Sequence, residues 1–170
     1  MNAALLTLTL VHVAISLVGI ATGFVEIAGL LSGTRREGWT KVFLASTIAT
    51  SATGFLFPFE RFLPSHAFGL ISLALLGVAL AARYHHHLNG RWSAVYAVTA
   101  IVAQYLNFFV LVVQSFLKVP GLKTLAPTQT EPPFVIAQLV TLVAFSVLGA
   151  LATRRALMNT SNASVGLRHA

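Results

Sequence analysis

The chain has 170 residues, 56% of them hydrophobic and only 9% charged, with a mean hydropathy of +0.83. A soluble domain cannot cover itself with so few polar groups, so the composition predicts an integral membrane protein. Cysteine is absent, which excludes disulfides, iron–sulfur clusters, thiolate metal sites and covalently attached haem. The net charge of +7 would suit nucleic acid in a soluble protein, but the basic residues fall between apolar segments, as a topology signal does, and no nucleic-acid partner is expected.

A bilayer core about 30 Å thick takes about 20 helical residues. Segments 3–31, 40–57, 66–84, 92–118 and 133–154 are read on that basis as five transmembrane helices of one all-α bundle, with a polar, flexible tail over 159–170. The first is too long, and too poor in basic residues before it, to be a signal peptide. It carries His12, Ser16, Gly19, Gly23 and Glu26 at helical spacing, so all five share one stripe. That stripe must face protein or water, because a charged group near the bilayer centre costs about 3 kcal/mol or more. Glu26 lies about 21 Å along the axis from His12 at 1.5 Å per residue. It is read either as a proton carrier or as a structural partner of Arg or Lys at the inner interface.

The basic turn with Arg35 and Arg36 leads to a second helix rich in small residues, Ser46, Ala49, Thr50, Thr53 and Gly54. Together with the Gly19–Gly23 pair these allow close helix approach, and their hydroxyls are expected to bond carbonyls one turn back. Pro58 ends this helix. A link with Glu60, Arg61 and Pro64 follows, and Ser65 is read as the N-cap of the third helix. The run from Arg83 through His85, His86 and His87 to Arg91 forms a polar turn. Three consecutive histidines point in different directions, which makes them weak metal candidates. Helix four carries Gln104, Asn107, Gln114 and Lys118 on one stripe, with Gln138 and Thr141 of helix five as expected partners. The connection from Val119 to Glu131 is read as an ordered interfacial segment.

Arg35, Arg36, Lys41, Arg83, Arg91, Arg154, Arg155 and Arg168 fall on one side of a five-span chain, and Arg61, Lys118 and Lys123 on the other. The bias predicts an outside N-terminus and an inside C-terminus. Trp39, Tyr84, Trp92 and Tyr96 are then read as an aromatic belt at the inner interface.

The run VHVAISLVGIATGFVEIAGLLSG, the basic turn after it and KVFLASTIATSATGFLF resemble small uncharacterised bacterial multi-pass membrane domains over about residues 1–80. The resemblance implies a bacterial inner (cytoplasmic) membrane. Such domains often have His-Arg at the turn into the second helix, where this chain has Gly38 and Trp39.

Three functional readings stand side by side. The first is a non-catalytic accessory or self-associating membrane subunit, with the lipid bilayer and further copies or a larger complex as partners. The second is a redox protein holding a single haem b between His12 and His66, which share the outer side, or linked to a quinone. The third is a small-solute or proton pathway along His12, Glu26, Gln104, Asn107, Gln114 and Gln138. Asp is absent and only four Glu are present, so paired-carboxylate catalysis is not expected.

Overall fold

A computed structural model describes residues 3–34, 36–58 and 64–166, and within these the chain is helical throughout, with no strand. The elements are α1 (Ala3–Ser32), α2 (Glu37–Gly54), α3 (Pro64–Leu80), a π-helical segment (Ala81–His85), α4 (Trp92–Lys118), α5 (Pro120–Leu125) and α6 (Pro132–Gly166). Arg35, Glu60, Arg61 and Arg168 lie outside the described residues.

Four stretches are long and apolar enough to cross a membrane: Ala3–Ser32, His66–His85, Trp92–Lys118 and Pro132–Thr160. Helix α2, read from sequence as a fifth span over 40–57, is not among them. It starts earlier, at Glu37, ends earlier, at Gly54, and carries Glu37 and Lys41 with many hydroxyls. Helix α3 begins at Pro64, a favoured first position, so Ser65 sits inside the first turn and is not its cap. Helix α6 runs on past Arg155 to Gly166, beyond the expected end at residue 154.

Helix α4 lies at the centre and packs against α6, α3, α1 and α2. The reason is its run of alanines. Ala97, Ala100 and Ala103 are essentially inaccessible, and small side chains let neighbouring backbones close in where packing must drive association. On one side Ala100 and Ala103 meet Phe43 and Leu44 of α2 and Leu76 and Ala79 of α3. On the other, Ala97 and Ile101 meet Ile27 of α1 and Phe145 and Ala152 of α6. The outer faces of α1 and α6 expose Leu10, Leu17, Phe24, Ile136, Val140 and Val143, as expected of surfaces that meet lipid.

Helices α1 and α2 run antiparallel. Side-chain contacts link His12 to Thr53 and Glu26 to Thr40, so the pairing extends over most of α2. Within α2, Ser46 and Thr53 bond the carbonyls of Val42 and Ala49 as expected. Gly19 abuts Ser46 and Thr47, while Gly23 abuts Gln104 of α4. The glycine pair therefore seats two helices, not one.

The segment from Val119 to Glu131 is ordered, as expected, and contains α5. Ala126 is buried, Gln129 donates to the Val113 carbonyl, and Phe116 meets Phe134 edge-on. Glu131 closes the loop by accepting from the Thr128 and Thr130 amides and the Thr128 hydroxyl. Desolvation, the largest single effect, pushes its carboxyl up, but these bonds together outweigh it and hold Glu131 below the usual carboxylate range.

Candidate functional site at the basic end of the bundle

The stripe read on α1 faces inward: His12 and Ser16 are half-buried, and Gly19, Gly23 and Glu26 are buried. Its deepest polar group is Glu26, 7% exposed. The Tyr96 hydroxyl donates to Glu26 Oε1 at 2.7 Å and the Thr40 hydroxyl to Oε2 at 2.5 Å. The Thr40 hydroxyl also lies 3.3 Å from the Arg36 carbonyl, a longer alternative. Glu26 is thus tied to hydroxyls and makes no ion pair with Arg or Lys within salt-bridge distance among the described residues.

Arg83 closes the arrangement. The π-helical segment turns Ala82 and Arg83 inward while Tyr84 and His85 stay exposed. Arg83 is 7% exposed, pairs with Glu37 at 2.6 Å, and its guanidinium lies 5.4 Å from the centre of the Tyr96 ring. A guanidinium suits this place because it is weakly hydrated and can lie on an aromatic face while forking to a carboxylate. Glu26, Thr40, Arg83 and Tyr96 come from four different elements, so the cluster pins one end of the bundle.

These four side chains line a cavity of about 280 Å³. Its walls come from α1, α6, the start of α2 and α4, and the turn before α4. Gly29 of α1, Gly33 just past its end, and Ala152 and Ala156 of α6 line it, Arg155 of α6 donates across to the Ser32 carbonyl of α1, and Arg36, Asn89 and Asn159 stand exposed at the rim. Ser93 of α4 and Thr160 of α6 bond each other across the wall. Gln104, Asn107 and His12 are not part of the lining.

The amides of α4 behave differently from one another. Gln104 is fully buried, and its Nε2 donates to the Ile20 carbonyl at 2.8 Å while its Oε1 has no hydrogen-bond partner. Asn107 donates to the Thr47 hydroxyl. Gln114 is exposed, so it does not continue the polar stripe inward. Gln138 reaches the Phe109 backbone carbonyl instead of an α4 amide, and Thr141 bonds its own Ala137 carbonyl. Helices α4 and α6 therefore meet mainly through apolar side chains.

At the opposite end, His12 Nδ1 lies 2.9 Å from the Thr53 hydroxyl and its ring stands edge-on to Phe57. His66 is buried, with its ring 5.7 Å from that of Phe55. Each imidazole thus rests on its own phenyl ring. At the basic end His86 stacks on Trp92 at 3.6 Å, and His85 meets His86 edge-on. No group of three His, Asp or Glu side chains that could hold a metal occurs among the described residues. Tyr96, read as a belt residue, is 1% exposed and belongs to the site, whereas Trp39 and Tyr84 are exposed at that end. The signal for Tyr96 was present in its spacing: residues 96, 100, 103, 104 and 107 share the inward face of α4.

Fold and site together define a helical bundle of membrane type with a polar cavity at one end. No protein-family model, curated protein or solved structure matches this chain.

Proposed function

We propose that the chain is a small non-catalytic membrane protein of the bacterial inner membrane that binds a small polar molecule in the cavity at its basic end. The observation that carries this reading is a carboxylate buried to 7% exposure that nonetheless borders an open cavity. An ionisable group inside a membrane bundle is a functional candidate by default, and convergent polar groups in a cavity mark a binding site.

The placement proposed has five crossings and an outside N-terminus. Antiparallel pairing along α1 carries α2 back from the level of Glu26 to that of His12. Thr40, Thr47 and Thr53 meet Glu26, Asn107 and His12 of the neighbouring helices, and Ser46 bonds its own Val42 carbonyl, so its low hydropathy does not bar it from the membrane. Arg36, Lys41, Arg83, Arg91, Arg154 and Arg155 gather at the cavity end, against Lys118 and Lys123 at the other, a bias that favours the cavity end as the inner one.

Because the chain has no cysteine, single thiols report access cleanly. With Ser93→Cys, a membrane-impermeant maleimide should label inverted vesicles and leave intact spheroplasts unlabelled. Labelling from the outer side only, or from neither side of a folded protein, refutes the reading.

A further inference from the structure

We propose that the cavity takes a zwitterion made of a primary ammonium and a phosphate, the chemistry of an ethanolamine phospholipid headgroup. The ammonium sits on Glu26 and the phosphate at Arg36. The inference rests on the reading that the cavity opens at the inner interface, and it names the ligand of that site.

Around Glu26 the deep wall is dominated by acceptors, with Arg83 beside them. Thr40 and Tyr96 have both given their protons to Glu26, so what they present to the cavity is oxygen lone pairs. A carboxylate has about four acceptor positions, and these two bonds fill two of them. Arg83, which also lines the cavity, gives Nη2 to Glu37 and lies over the Tyr96 ring, so one buried cation faces the two carboxylates Glu26 and Glu37. An incoming group must therefore bring donors and positive charge. A primary ammonium brings three N–H donors in a compact head, whereas a trimethylammonium has the charge but no donor. An anion would meet the same lone pairs unfavourably.

The rim has the opposite character. Arg36, Asn89 and Asn159 line the cavity and are exposed there, and their side chains carry donors suited to phosphate oxygens. Acceptors inside and donors outside match a zwitterion that enters ammonium first. The volume of about 280 Å³ lies just under the range of drug-sized pockets, so it suits a headgroup and is too small for a macrocycle. The cavity is walled by both α1 and α6, and the proposal leaves the lipid tail in the bilayer beside them.

The test is native mass spectrometry of the full chain in mild detergent, given equal amounts of dioleoyl phosphatidylethanolamine, phosphatidylcholine and phosphatidylglycerol. One phosphatidylethanolamine should be retained in preference to phosphatidylcholine by about ten-fold, equivalent to one charge-assisted contact of about 1.4 kcal/mol. Glu26→Gln should abolish that preference. Arg36→Gln, a surface change, should weaken both lipids while leaving their ratio intact, because they share the phosphate. Should Glu26→Gln not fold, stepwise N-methylation of the lipid reads the same contact in the unaltered protein, and affinity should fall with each methyl. Free phosphoethanolamine separates the sources: displacement of the lipid at matching concentration assigns the site to a soluble zwitterion, and no displacement assigns it to the lipid. Equal retention of the two lipids by the unaltered protein, or a preference that survives Glu26→Gln, overturns the proposal. If Ser93→Cys is labelled from the inner side but no preference exists, only the ligand assignment fails. If it is not labelled, the cavity reading fails first.

Discussion

Glu26 is stable inside the bundle because two hydroxyls from two other helices converge on its carboxylate. Removing one donor leaves a buried acceptor short of a partner, which costs about 1–3 kcal/mol. Tyr96→Phe should therefore lower stability by about that much, read as a fall in the thermal midpoint of the purified protein. Glu26→Leu should be worse, since it strands both hydroxyls at once. The glycines give a sharper contrast. A Cβ on Gly23 would overlap the Gln104 side chain at 2.1 Å from Oε1, and Gln104 is fully buried and bonded to the Ile20 carbonyl. It can yield only by giving up that bond, so Gly23→Ala should destabilise by about 1–3 kcal/mol. A Cβ on Gly38 meets nothing within 4 Å, so Gly38→Ala should be neutral or stabilising by up to about 1 kcal/mol. Equal effects of the two substitutions on the thermal midpoint would contradict the packing described for α1 and α4.

At the scale of elements, α2 shows how far apolar run length can be trusted. The sequence bounds of α1 and α4 lie within a residue of the observed ones because both helices stay apolar on average over their whole length despite one polar stripe each. Helix α2 carries its polarity inward, where Thr40, Ser46 and Thr47 meet α1, so hydropathy alone understates it. The inward stripe of α1 was legible because helical spacing is strict. The partners of Glu26 were not: a tyrosine or arginine near a helix end serves equally as an interfacial anchor, and only the tertiary fold and the π-helical turn bring Arg83 over Tyr96. The loop before α6 has its own signature. Glu131 has a folded pKa below the ordinary 4.5, so its contribution is complete above that value and is lost as pH falls through the lowered one. Hydrogen exchange of the Thr128 and Thr130 amides should accelerate, relative to the intrinsic rate, once pH drops below the ordinary carboxylate range. Glu131→Gln should remove that pH dependence, and an unchanged profile would show that the carboxylate does not order the loop.

For the whole molecule, the two ends of the bundle differ in chemistry. One end seats His12 and His66 against phenyl rings; the other combines a buried carboxylate, a buried guanidinium and a cavity. Between them, Gln104 packs directly against the α1 backbone at Gly23, which closes the interior. The polar stripe that reads in sequence as one continuous path is therefore divided by packing at Gln104 and Gly23. Such a division follows from how closely two helices approach, which residue spacing does not encode.

The most direct test of this account is a depth profile of thiol access along α4 in the cysteine-free chain, comparing Ser93→Cys, Ala97→Cys and Ala103→Cys in inverted vesicles with a small water-soluble reagent. The account predicts rapid labelling at position 93 and none at positions 97 and 103 while the protein stays folded. Labelling that continues through position 103 would mean a hydrated path past Gln104, and would contradict an interior divided there.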